Sequence, residues 1–302
     1  MATTLLGELC NKEPVTIEEA PFESALHEMC RVGMNATEEW LLVCDGDLLI
    51  DKQAISKFIS ETLRRADTVH HAQGFILDRL YGSVRKGGPR LYRCSEMPTL
   101  KKSIPPAGTS PRPESAMIRA HPSNNDGSIQ LPYVVALHDF EQFYKDIYRK
   151  AFAHGQKHAE WAGTCLPMWK EMFLVDCDFR IAARGFCDGV QSSSRLETDI
   201  RKQAVDIEAL LSEMTTDEKT PLPADALDSS WVTRVMNDSE VVRDWYRLRN
   251  APSLTWHQRT LQRWRQLGTL RSLVWACGSA LIRTGHKAHR LAVGSHSHSF
   301  DN

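Results

Sequence analysis

Apolar and polar positions along the chain follow two periods, and where they switch marks the elements. Trp40-Leu41-Leu42-Val43-Cys44 is a continuous apolar run with the length of a fully buried strand, and it stops abruptly at Asp45-Gly46-Asp47. Before it, Val15 to Glu19 reads as a short strand. Pro21 then opens a helix with Phe22, Ala25, Leu26 and Met29 on one face and Gly33 as its stop. After it, Ile55, Phe58, Ile59 and Leu63 put a second helix at about Asp51 to Arg65, and Val69 to Leu77 reads as another strand. This alternation predicts an α/β fold with a parallel sheet.

Residues 86–126 are rich in Pro, Gly, Ser and charge and read as a loop-rich insertion. Leu131 to Leu137 resumes the strand pattern. His138 to His154 reads as a helix with an aromatic stripe of Phe140, Phe143, Tyr144, Tyr148 and Phe152, most simply a core-facing surface. Met172-Phe173-Leu174-Val175 repeats the opening pattern, ending in Asp176 and Asp178, and is expected to be structural, with Arg180, Arg184 and Lys170 available to neutralise it.

The candidate chemistry lies where apolar runs end. Side chains two apart on a strand share a face, so Asp45 and Asp47 would point the same way and repel unless a cation lies between them. Carboxylate pairs suit magnesium or manganese, whereas the plainer reading is an Asp-Gly turn with both acids solvated. Ligands of parallel sheets sit beyond the carboxyl ends of the strands, where these acids fall. His138 follows its strand in the same manner and is a candidate third metal ligand. Asp139 is either the N-cap of the following helix or a catalytic carboxylate, and Glu141, one turn in, is a candidate general base. His154 and His158 have the i, i+4 spacing of a metal pair but lack the accompanying Glu, which favours surface histidines.

Composition narrows the class. With 302 residues, 42% hydrophobic and 25% charged, the chain is an ordinary globular protein, and a net charge of −1 gives little support to nucleic-acid binding. Eight cysteines without a CxxC pair argue against a zinc ribbon or disulfide framework and fit reduced cytoplasmic thiols. The start of the sequence shows no signal-peptide pattern, and no apolar run is long enough to cross a bilayer. The carboxy-terminal part differs in character. Arg243, Arg247, Arg259, Arg263, Arg271 and Arg290 interleave there with Trp245, Trp256, Trp264 and Trp275, which describes either a helical cap or an amphipathic surface for an anionic membrane. Stacking on single-stranded nucleic acid is a third, weaker use of that composition. The tail from Gly294 to Ser299 is expected to be flexible.

The strand ending in Asp45-Gly46-Asp47, with its Glu38-Glu39-Trp40 lead-in, resembles the DxD region of GT-A glycosyltransferases, especially the family 2 type. The likeness spans roughly residues 15 to 160 on one short motif. It implies a Rossmann-like, mostly parallel sheet flanked by helices over residues 1–195, with a helical, basic extension over 196–302. It further implies a nucleotide-sugar donor held through Mn2+ or Mg2+ on Asp45 and Asp47, His138 as a third ligand, Asp139 or Glu141 as base, and a glycan or glycolipid acceptor. Only residues 1–39 precede the motif, where that family places a nucleotide-binding half, and a single parallel crossover unit already takes about 30 residues. Two other classes stay open. One is a haloacid-dehalogenase-like phosphotransferase using Asp45 and Asp47, although Leu48-Leu49 lacks the Thr usual after the second Asp; the other is a non-catalytic glycosyltransferase-like binding domain.

Overall fold

The computed structural model describes residues 6–250, apart from 8, 11, 111, 124–126, 141, 194–205 and 221–228. Helix α1 (Phe22–Asn35) precedes two short strands, β1 (Trp40–Val43) and β2 (Leu48–Ile50). Helix α2 (Lys52–Leu63) leads to β3 (His71–Asp78) and β4 (Ser83–Arg93), and the small helices α3 (Met97–Lys102) and α4 (Pro113–Arg119) lead to β5 (Ser128–His138). The rest is helical: α5 (Tyr144–Lys157), α6 (Ala162–Met172), α7 (Cys177–Gln191), α8 (Ile207–Glu213), α9 (Ser229–Asp238) and α10 (Glu240–Asn250). The chain divides into two units, Met1–Trp245 and Tyr246–Asn302, and the candidate site lies wholly in the first.

The five strands form one sheet in the order β1-β4-β3-β5-β2. Only β3 and β5 run parallel; the other three pairings are antiparallel, which corrects the expectation of a mostly parallel sheet. The physical reason is that β3 and β4 are joined by a tight turn, which permits only an antiparallel pair. The first strand is also an edge strand with all four residues half-buried, not the fully buried strand that its composition suggests.

Chain length makes the sheet curl. A flat sheet of five strands would hold its edges about 19 Å apart. The five steps from Val43 to Leu48 join one edge strand to the other and would span that distance only if fully extended, yet they contain a turn in which the Leu48 N–H donates to the Asp45 carbonyl at 3.4 Å. The sheet therefore rolls until β1 and β2 approach, enclosing Leu48, Ile50, Ile76, Leu91 and Val135 with Ile55 and Phe58 of α2. Asp51 caps α2 by accepting a 2.6 Å hydrogen bond from the Ala54 N–H.

A second core is mainly helical, with Trp169, Phe179, Ile181 and Phe186 packed on Ile147, Ala151 and Phe152 of α5 and on Leu80 from the turn between β3 and β4. Helices α5 and α7 touch backbone to backbone. A methyl group on Gly185 would meet the Tyr148 carbonyl oxygen at 2.5 Å, and one on Gly189 or Gly155 would strike the Phe152 or Phe186 carbonyl oxygen. So close an approach fixes the rotation of α5 about its axis, and with it the face that carries Lys150 and His154.

Several local expectations differ from the structure. Val15 to Glu19 is irregular. Residues 86–126 carry the second half of β4 together with α3 and α4 rather than one long loop. The helix after β5 begins at Tyr144, not His138, so Phe140 and Phe143 lie before its first turn. Met172 to Asp178 is a helix–turn–helix corner in which Asp176 caps α7, and not a strand. Its two acids pair with Arg79, and Asp178 also with Lys219 at 2.5 Å, in place of the nearby Arg180, Arg184 and Lys170. The basic stretch beyond residue 250 and the tail lie outside the described residues. Among the described residues no helix is long and apolar enough to cross a membrane.

A candidate metal centre at the strand ends

The site is built by register. Asp78 and His138 are cross-strand partners at the carboxyl ends of the one parallel pair, and His138 is also opposite Leu48 of β2. Asp47 precedes Leu48 and Asp139 follows His138, so the pairing that places Leu48 beside His138 also brings the two acids together. Binding regions of α/β sheets lie beyond such carboxyl ends.

The geometry is compact. Asp47, His138 and Asp139 each offer one ligand atom, and these atoms lie within 4.8 Å of one another. His138 Nε2 is 3.5 Å from Asp47 Oδ2, and its Nδ1 is 2.9 Å from Asp139 Oδ2 and 3.1 Å from Asp78 Oδ2. Lys150 projects from α5 and donates to Asp47 Oδ2 at 2.5 Å and to Asp139 Oδ1 at 2.8 Å. Gln142 donates to the same Asp47 oxygen at 3.3 Å. Beneath them Asp78 is fully buried; it accepts from Arg85 Nε at 2.6 Å and from the Tyr81 N–H at 3.2 Å.

Asp139 is 2% exposed and has φ of +62°, a left-handed conformation that a non-glycine residue adopts at a cost. It is not a helix cap, because α5 starts five residues later at Tyr144. The turn out of β5 instead aims its carboxylate at His138 and Lys150. Asp45 is exposed at the turn and stays outside the three-residue cluster, so the expected pairing of Asp45 with Asp47 around one cation is replaced by Asp47 with Asp139. Both members of Asp-Gly-Asp lie past the end of β1 at Val43, where the alternation of a strand no longer applies. Glu141 lies outside the described residues.

Electrostatics bind the cluster together. Burial opposes ionisation of Asp47 and Asp139, but the hydrogen bond from His138 and the charge of Lys150 override it and hold both carboxyls below the usual range. Burial would likewise depress His138, yet its hydrogen bonds to Asp139, Asp47 and Asp78 push it up to about 11. The carboxylates of Asp47, Asp78 and Asp139 are thus balanced by the His138 imidazolium, Lys150 and Arg85. The Lys150 ammonium sits between Asp47 and Asp139, where a metal ion would have to sit, and a protonated imidazole is no ligand. A cation arriving here must displace both the ammonium and the proton.

Sequence reasoning identified Asp47, His138 and Asp139 and missed Lys150, Asp78 and Arg85. Asp78 had a signal, since Phe75-Ile76-Leu77-Asp78 is one more apolar run ending in an acid. Lys150 shares the helical face of Ile147, Ala151 and His154, which marks it as a half-buried cation. A cavity of about 430 Å3 lies elsewhere, lined by Leu166, Phe173, Cys187, Met214, Lys170 and Arg180. None of the cluster residues lines it, and the convergence of ionisable groups rather than a cavity singles out the strand ends.

Two other histidines set a pH limit on the fold. His71 is 3% exposed and burial lowers it to about 3; burial also lowers His154 to about 4, helped by His158. Both stay neutral in the folded chain while the unfolded chain takes up protons below about 6.5. Their stabilisation is therefore complete above that pH and declines as pH falls toward 4, by at most about 1.4 kcal/mol per pH unit for each residue. Urea unfolding at pH 7 and pH 5 should show the lower midpoint at pH 5, and His71→Gln should reduce the difference. An unchanged difference in that variant would remove His71 as a cause.

No family model, curated protein or solved structure matches the chain.

Proposed function

We propose that the chain is a metal-assisted transferase, a glycosyltransferase that holds a nucleotide-sugar donor through a divalent cation and passes the sugar to a hydroxyl of a glycan or glycolipid. The observation that supports this reading is the convergence of Asp47, His138 and Asp139 at the carboxyl ends of the parallel pair. Two carboxylates and an imidazole suit Mn2+ or Mg2+, and the site has the donor set even though Lys150 fills its centre. A cation bound there supplies neutralisation of the leaving diphosphate.

The residues have distinct tasks in this reading. Asp47, the most exposed of the three, faces the incoming ligand. Lys150, released from the two acids, turns its ammonium to the donor's phosphates. Asp78 and Arg85 hold His138 from behind. Asp139 is too enclosed to reach an acceptor hydroxyl and belongs to the ligand set rather than to proton abstraction. That leaves Glu141 as the candidate base. A cytoplasmic location, with the basic stretch beyond residue 250 against an anionic membrane surface, completes the proposal.

The test is a thermal-shift screen of the full chain with MnCl2 and nucleotide sugars. Ligand at a hundred times its Kd stabilises the native state by about 2.7 kcal/mol, a readily measured rise in Tm. Manganese should raise Tm, a nucleotide sugar should raise it further only with manganese present, and Asp47→Ala should lose both responses while keeping its circular dichroism. Absence of any manganese response, or an unchanged response in Asp47→Ala, refutes the assignment.

A further inference from the structure

We infer that Trp161 is a stacking platform for a sugar ring of the acceptor, an extension of the candidate site along α5. The word acceptor rests on the transferase reading; the sugar-binding surface does not. Helix α5 presents Lys150 and His154 four residues apart on one face, and His158 follows four residues later as its C-cap. At 1.5 Å per residue their backbone positions lie about 6 and 12 Å along the axis from that of Lys150.

Four rings, Tyr81, His154, His158 and Trp161, cluster at the far end of that face. Tyr81 donates its backbone N–H to Asp78, which joins it to the cluster, and its ring centroid is 4.6 Å from that of His154. His154 is 4.9 Å from His158 and 5.1 Å from Trp161. Trp161 stacks on His158 at 5.0 Å with 22° between the planes and meets Tyr81 edge-on at 6.1 Å. Its indole is nevertheless 42% exposed. A single exposed aromatic needs no explanation, but this one is propped on three sides by other rings and is therefore rigid.

The chemistry around it selects the ligand. Arg112 donates to His158 Nε2 at 3.5 Å, and Glu160 accepts from His158 Nδ1 at 3.3 Å, so an exposed cation and an exposed carboxylate flank the stack. Hydroxyl groups can donate to one and accept from the other while the ring's C–H face rests on the indole. One cation and one carboxylate beside the indole offset each other and suit a ligand that both donates and accepts hydrogen bonds. The fitting partner is a neutral, polyhydroxylated ring, entering with one end toward Lys150.

The test uses full-length protein and four probes, cellohexaose, chitohexaose, mannohexaose and maltohexaose, by titration calorimetry and intrinsic fluorescence. At least one hexaose should bind the wild type. Trp161→Ala should weaken that binding about tenfold and Trp161→Phe about threefold or less, in line with the value of aromatic contacts. Circular dichroism and the manganese response should be unchanged in both variants. Failure of all four probes, or equal affinity in Trp161→Ala, overturns the proposal. Trp161-dependent hexaose binding without any manganese or nucleotide-sugar response would keep the platform and discard the transferase reading.

Discussion

Replacing Asp78 with alanine is expected to lower the unfolding free energy by about 3 kcal/mol, the scale for removing one partner from a buried charged network. The carboxylate is fully buried and holds three groups at once: Arg85, His138 and the Tyr81 N–H. Arg85 can turn to solvent, since its side chain is already 42% exposed, so its share of the loss is modest. His138 cannot, and neither can the turn backbone at Tyr81, whose N–H would be left without its acceptor. Urea unfolding should show the loss as a lower midpoint with an unchanged slope. Asp78→Asn, which keeps the shape and one acceptor oxygen but turns the other into a donor facing Arg85 and His138 or the Tyr81 N–H, should recover only a small part of it. A loss under about 1 kcal/mol in Asp78→Ala would mean that the strand ends are held by packing alone.

Lys150→Met is expected to bind Mn2+ about a hundredfold more tightly than the wild type, equivalent to about 2.7 kcal/mol. The ammonium bridges Asp47 and Asp139, so it competes directly with any cation for the same oxygens. Methionine keeps the unbranched stem and removes the charge. Two ionised acids then face each other across His138, and an added cation relieves that repulsion. Calorimetric titration with MnCl2 measures the change, and the unfolding midpoint of the metal-free variant should fall at the same time. Equal or weaker manganese affinity in Lys150→Met would show that the lysine is not a stand-in for metal, and the cluster would then be a self-neutralised structural network.

Asp45 and Asp47 were legible from one rule, that an apolar run ending in a carboxylate marks a strand end, and Asp78 would have been had the strand from Val69 been followed one residue further. His138 and Asp139 followed from the same rule applied to β5. Their roles were less legible. Whether Asp139 caps a helix depends on where the helix starts, and the start at Tyr144 is set by packing of α5 on α7 and by Glu218, which accepts from the Tyr144 and Lys145 N–H groups at 2.7 and 3.3 Å. Glu218 is 74 residues away from Tyr144, beyond the reach of any local pattern. The Asp176–Asp178 run is structural, as expected, but it is not a strand end: apolar residues ending in acids also describe a helix corner with an N-cap.

The sequence by itself determined which segments are helix or strand over α1, α2, β3 and β5, because hydrophobic period and capping chemistry are local. It also determined that acids collect at strand ends. Only the tertiary structure decided that the sheet is mixed and curled, since strand direction depends on the length of each connection and on which edges must meet. It alone replaced Asp45 by Asp139 in the cluster and inserted Lys150 between Asp47 and Asp139, because those contacts join residues up to 103 positions apart and exist only once β2, β5 and α5 have converged.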